Sequence, residues 1–124
     1  MNKKVLIADD ETSLREMYKE RLSHESFDVI FAKDGEEALE LIYRERPYLA
    51  LLDIMMPNKT GMEVLEEVKK DPKISNTIIG MLTVLDDDNT KEKAFDLGAK
   101  YYLIKSQVMP ADVIKIIKNE ISEV

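Results

Sequence analysis

Short apolar runs alternate along this chain with longer stretches of helical period. The runs at Lys4 to Ala8, Phe27 to Ala32, Tyr48 to Leu52, Thr77 to Leu82 and Tyr101 to Ile104 are too short for helices and read as strands. Unbroken apolar stretches such as Leu49-Ala50-Leu51-Leu52 imply burial on both faces, as in a parallel sheet. Between them, apolar residues recur at helical spacing: Leu14, Met17, Tyr18 and Leu22, then Ala38, Leu41 and Ile42, then Met62, Leu65 and Val68, then Ala94 and Leu97. The last helix carries the cleanest stripe, Val113, Ile116, Ile117 and Ile121. Boundary residues agree: Asp34 with Glu37 forms a capping pair, Pro110 suits a first helical turn, and Gly98 suits a helix stop. Strict strand and helix alternation predicts right-handed crossovers and a doubly wound α/β domain with helices on both faces.

Composition narrows the classes. A chain of 124 residues makes one domain without linkers or repeats. The 18 Lys and Arg against 25 Asp and Glu leave a net charge of -7, and no basic cluster offsets it, so direct nucleic-acid binding by this domain is not expected. No apolar run reaches the roughly 20 residues of a membrane helix. Met1-Asn2-Lys3-Lys4 is basic, but the apolar stretch behind it, Val5 to Ala8, is too short for a signal peptide. The absence of cysteine removes disulfides, thiolate metal sites and Cys nucleophiles, and makes a cytoplasmic location the expectation.

The polar residues at the strand ends carry the chemistry. In open parallel sheets ligands bind outside the carboxyl ends of the strands, near the point where strand order reverses. The first strand runs into Asp9-Asp10, the third into Asp53, the fourth into Thr83 and the fifth into Lys105. Carboxylates gathered at one edge repel one another unless a cation neutralises them. Oxygen ligands without His or Cys favour a hard ion, Mg²⁺ first. A Lys and a Thr hydroxyl facing that ion suit a bound phosphoryl group. Asp53, alone at the end of a central strand, is the candidate nucleophile for an acyl phosphate, and Asp9 with Asp10 is the candidate metal pair.

These residues resemble the receiver domain of two-component response regulators, of the CheY-like superfamily, over residues 1–124. The resemblance lies in Val5-Leu6-Ile7-Ala8-Asp9-Asp10-Glu11, in Leu51-Leu52-Asp53-Ile54-Met55-Met56-Pro57 with Gly61, in Thr83, and in Gly98-Ala99-Lys100-Tyr101-Tyr102-Leu103-Ile104-Lys105. It implies a flavodoxin-like (βα)5 domain with strand order 2-1-3-4-5. It makes Asp53 the phosphoacceptor for a sensor histidine kinase or phosphotransfer protein, with Asp10 and Asp53 holding Mg²⁺ directly, Asp9 acting through water and Met55 lending its backbone carbonyl. Lys105 would pair with the phosphoryl group, Thr83 would hydrogen-bond to it, and Tyr102 would be the aromatic switch. The domain would catalyse only its own phosphorylation and dephosphorylation. Its output face would be formed by the fourth helix, the fifth strand and the fifth helix, meeting an output protein, a fused effector domain or a second copy in a phosphorylation-dependent homodimer.

Three positions depart from the common receiver pattern. Ser106 follows the active-site Lys where most members carry Pro, the segment Gln107-Val108-Met109 is one residue longer, and β-branched Val84 follows the switch Thr. Altered phosphotransfer or dephosphorylation kinetics is the expectation from Val84. Ser106 and Val84 keep open a degenerate receiver that acts as a phosphorylation-independent interaction module. A Mg²⁺-dependent phosphohydrolase is opposed by the lack of an acid two residues after Asp53, and a flavodoxin-type cofactor binder by the lack of a phosphate loop. His24 reads as a surface residue, and Asp86-Asp87-Asp88-Asn89-Thr90 as an exposed helix-capping loop without the Gly and Glu of an EF-hand. The seven methionines read as packing.

Overall fold

A computed structural model describes residues 3–122; Met1, Asn2, Glu123 and Val124, including half of the basic start, lie outside the described residues. Five strands and five helices alternate: β1 (Lys4–Ala8), α1 (Thr12–Arg21), β2 (Asp28–Ala32), α2 (Gly35–Glu45), β3 (Leu49–Leu52), α3 (Gly61–Lys70), β4 (Ile78–Thr83), α4 (Asp88–Asp96), β5 (Tyr101–Ile104) and α5 (Pro110–Ser122). The strands form one parallel sheet in the order β2-β1-β3-β4-β5.

Alternation along the central strands divides the core in two. Leu6 and Ala8 of β1 point with Ala50 and Leu52 of β3 toward Ala38, Leu41, Val64, Leu65, Val68 and Ala94, so α2, α3 and α4 cover that face. Val5, Ile7, Leu49 and Leu51 point the other way, onto Tyr18 of α1, Leu22 just after it, and Val113 and Ile117 of α5. All four residues of β3 are fully buried, which accounts for the unbroken apolar run. Truncating such a side chain costs about 2–5 kcal/mol.

Local signals set most boundaries. Asp34 accepts from the Glu37 N–H at 2.8 Å, while the Glu37 carboxylate reaches back to the Lys33 N–H at 2.8 Å. Gly98 takes φ 110° after α4, where the Ala99 N–H closes on the Ala94 carbonyl. The β4 run is shifted by one residue from the sequence expectation. Thr77 leaves the ladder because its hydroxyl donates to the Pro47 carbonyl at 3.0 Å and its N–H to Ile74, and the strand continues to Thr83.

The α5 stripe is also modified. Ile114 packs into the core beside Val113, Ile117 and Ile121, whereas Ile116 is half-buried at its edge. Glu120, on the same helix, is buried. Burial alone would push its carboxyl up, but a hydrogen bond and ion pair with Lys100 at 2.7 Å and a hydrogen bond from the Tyr101 hydroxyl outweigh it and hold the pKa below the ordinary Glu value. A depressed folded-state pKa contributes stability above the unfolded value and loses it as pH falls through the folded one. Glu120→Gln is therefore expected to cost about 1–2 kcal/mol near neutral pH and nothing in acid below the folded pKa. Denaturant unfolding at both pH values checks this, and a cost independent of pH counts against it.

Candidate functional site

Strand order reverses between β1 and β3: the chain leaves β1 toward β2 on one side and reaches β3 on the other. The segments after these two strands part at that point and open a crevice at the carboxyl edge of the sheet. Asp9 and Asp10 enter it from β1 and Asp53 from β3, one carboxylate oxygen of each lying within 4.8 Å of the others. Backbone bonds continue the ladder into the site. The Asp9 N–H donates to Ala32 and the Asp53 N–H to Ala8, both at 3.0 Å, so the two acids sit on the rigid end of the sheet.

The three acids have different surroundings. Asp9 and Asp53 are buried, whereas Asp10 is exposed. Asp9 accepts the Glu11 N–H at 2.9 Å, and its own carbonyl accepts from the Arg15 guanidinium at 2.7 Å, which ties the first turn of α1 to the site. Lys105 comes from the end of β5 and places Nζ 2.6 Å from Asp9 Oδ2 and 3.0 Å from Asp53 Oδ2, with Glu11 at 3.7 Å. Burial pushes the Asp9 carboxyl above its ordinary value, against the lowering effect of Lys105 and the Glu11 N–H. For Lys105, burial works downward, but the bonds and charges of Asp9 and Asp53 prevail and raise its pKa, so it remains an ammonium ion.

One ammonium facing three carboxylates leaves the cluster short of positive charge. All the side-chain donors are hard oxygens, two on buried residues and one on an exposed residue, and this donor set fits a hard divalent cation such as Mg²⁺.

Thr83 is fully buried at the end of β4, and its hydroxyl accepts the Leu85 N–H at 3.4 Å. It is in register with Ile104, the residue before Lys105. Adjacent Tyr101 and Tyr102 face opposite sides of the sheet. Tyr101 turns to Glu120, while Tyr102 is half-buried on the α4 side, donates to the Leu85 carbonyl at 2.9 Å and lies 6.4 Å from the Phe95 ring. Thr83 and Tyr102 thus both bond to the backbone of Leu85. Met55 follows Asp53 with its side chain largely exposed and its N–H 3.2 Å from Asp53 Oδ1.

The departures at Ser106 and Val84 take a definite form. No cis peptide occurs among the described residues, so Lys105–Ser106 is trans, and Lys105 still reaches both buried acids. Val84 is more than half exposed at the rim. His24 is exposed, and Asp87 caps α4 by accepting from the Thr90 N–H and hydroxyl, as the sequence suggests. The sequence reading missed the Thr60 and Glu63 capping box that opens α3, although Thr-x-x-Glu before an apolar run signals it. It also missed the bond from the Asn58 side chain to Asp34, which no local pattern reveals.

The response regulator receiver domain family model matches residues 5–118. The chain belongs to this family. A protein named "Probable transcriptional regulator ycf27", from Porphyridium aerugineum, is 44% identical over 102 residues, covering 82% of this chain and 41% of that protein. The receiver thus spans about two fifths of the length of the curated relatives it matches. A CheY-like response regulator receiver domain protein from Methanospirillum hungatei superposes with a TM-score of 0.88 at 31% identity, over 99% of this chain and 96% of that one. The BeF3-activated receiver domain of Klebsiella pneumoniae RstA superposes with a TM-score of 0.85 at 28% identity, over 98% and 100%. The fold is the flavodoxin-like CheY fold with order 2-1-3-4-5. Receivers are signalling domains of two-component systems. Among the described residues no helix of this receiver is long and apolar enough to cross a membrane.

Proposed function

We propose that the whole chain, residues 1–124, acts as a phosphoacceptor receiver in which Asp53 takes a phosphoryl group from a phosphohistidine of a sensor histidine kinase or phosphotransfer protein. The observation that carries this reading is a buried Asp53 carboxylate grouped with Asp9 and Asp10 and held 3.0 Å from Lys105. An Asp53 oxygen forms the new P–O bond as the P–N bond breaks, and the imidazole leaves with the electron pair and recovers a proton from water. Attack of water on the phosphorus later returns the carboxylate and inorganic phosphate.

Asp10, Asp53 and the Met55 carbonyl would hold Mg²⁺, with Asp9 acting through water. Bound there, the ion would offset negative charge on the phosphoryl oxygens. Lys105 supplies a fixed positive charge without reorganisation, because two buried acids already orient it. The Thr83 hydroxyl would turn from the Leu85 N–H to a phosphoryl oxygen. Leu85 also accepts from Tyr102, so that rearrangement would bear on the Tyr102 ring and on the α4-β5-α5 face. The phosphoryl group acts through contacts made in only one of two states. That face would meet an output protein, a fused effector domain or a second copy, within the cytoplasm. The relatives named as transcriptional regulators support an effector domain of that kind.

The test is intact mass after incubation with Mg²⁺ and acetyl phosphate. Wild type is expected to gain one labile phosphoryl adduct and Asp53→Asn none. Wild type without an adduct, or an adduct retained by Asp53→Asn, overturns the assignment.

A further inference from the structure

The loop from Asp53 to Gly61 contains two three-residue turns. The Met56 N–H donates to the Ile54 carbonyl at 3.1 Å, and the Lys59 N–H to the Pro57 carbonyl at 2.7 Å. The second turn is centred on Asn58 at φ 69°, which matches the rare, strained form of γ-turn. A residue held in such a conformation persists only where its surroundings impose it, and such residues cluster at functional sites.

Here the constraint comes from the neighbouring β2–α2 corner. The Asn58 amide donates to Asp34 Oδ2 at 2.8 Å, while Asp34 Oδ1 accepts from Glu37 at 2.8 Å as the cap of α2. Capping needs one oxygen, and Ser, Thr or Asn would serve as well. The second oxygen of Asp34 is committed to the loop. Packing reinforces it: a Cβ on Gly35 would lie 1.9 Å from the Lys59 carbonyl oxygen, and Lys59 pairs with Glu67 at 2.8 Å. The clamped loop begins with Met55, whose N–H touches the Asp53 carboxylate.

We propose that Asp34 and Asn58 are positioning residues for the acidic site: their bond holds the turn that fixes the Met55 backbone and, through the Met55 N–H, the Asp53 carboxylate, which would hold the metal. This rests on the reading of Asp53, Asp10 and Met55 as the Mg²⁺ and phosphoryl site. Neither clamp residue touches the cluster, so their effect passes through the loop.

The test is Mg²⁺ affinity by titration calorimetry, with Tm and phosphorylation by acetyl phosphate measured alongside. Asn58→Gly removes the amide but still permits positive φ. Asn58→Asp sets a carboxylate against Asp34. The exchange Asp34→Asn with Asn58→Asp restores an amide and carboxylate pair while an oxygen at 34 still accepts from the Glu37 N–H. Outer partners of metal ligands typically affect affinity 10–100-fold, and about ten-fold weaker Mg²⁺ binding is expected in both single variants, with recovery in the exchange. Unchanged affinity in the single variants, a fall in Tm without a change in affinity, or a loss the exchange fails to recover overturns the proposal. So does wild type that binds no Mg²⁺. Wild type that binds Mg²⁺ but takes no phosphoryl group overturns the phosphoacceptor reading alone, and the affinities still decide the clamp.

Discussion

Gly61→Ala is expected to lower Tm by roughly 10 °C or more and to impair the acidic site in the protein that remains folded. An alanine Cβ at this position would lie 2.2 Å from the Asp53 carbonyl oxygen and 2.9 Å from its carbon. Both are backbone atoms on the end of a central buried strand, so no side chain can swing aside. The Gly61 N–H also donates to the Ile54 carbonyl at 3.0 Å, which fixes the first turn of α3 against the residue after Asp53. Overpacking in a well-filled interior costs about 1–3 kcal/mol, and more where it falls on main chain. At about 3–5 °C per kcal/mol for a domain of 124 residues, the upper end of that cost gives the expected fall in Tm. Relief of the clash has to move the Asp53–Ile54 peptide or the start of α3, so Mg²⁺ binding weakens as well. A thermal melt and a Mg²⁺ titration check both parts. Tm within a few degrees of wild type would show that the helix start yields without disturbing the strand.

Features whose physics is local were legible in the sequence. The continuous apolar run of β3 marks a strand buried on both faces, and Asp9, Asp10, Asp53, Thr83 and Lys105 stand out as polar residues where such runs stop. The Asp34 and Asp87 caps and the Gly98 stop follow from side chains within a few residues of the backbone they satisfy. Pairings distant in sequence were not legible. Glu120 lies on a buried helix face with its partners 19 and 20 residues away on β5 and just before it, and the Asn58 to Asp34 bond spans 24 residues. The exchange of Ile116 for Ile114 on α5 marks another limit. Both lie next to the Val113 and Ile117 line, and a 3.6-residue period alone does not decide which edge of the stripe meets the sheet.

Lys105→Met is expected to make the stability of the domain depend on divalent ions. Methionine keeps most of the apolar stem, which lines a small crevice with Leu14, Tyr18, Leu82 and Val108, so the change removes chiefly the charge. Without the ammonium, Asp9 and Asp53 face each other buried and unpaired, with Asp10 beside them. Breaking a buried pair by deleting one partner costs up to about 3–5 kcal/mol, and the partial exposure of Lys105 places the expected loss in chelator at about 2–4 kcal/mol. Mg²⁺ then restores what the ammonium supplied, since an ion binding only the folded state adds about 2.7 kcal/mol at 100 times its Kd. The variant should bind Mg²⁺ more tightly than wild type because no fixed cation opposes the ion. Its phosphorylation should nevertheless be slower by roughly 10²-fold, the scale seen when one preorganised partner of a developing negative charge is removed. Tighter metal binding combined with slower phosphorylation separates charge placement from general damage, which would weaken both. Unfolding in chelator and in Mg²⁺, with the rate of adduct formation measured by mass, reads the three quantities. Equal stability of variant and wild type in chelator would mean that the lysine is not what lets the buried acids sit together.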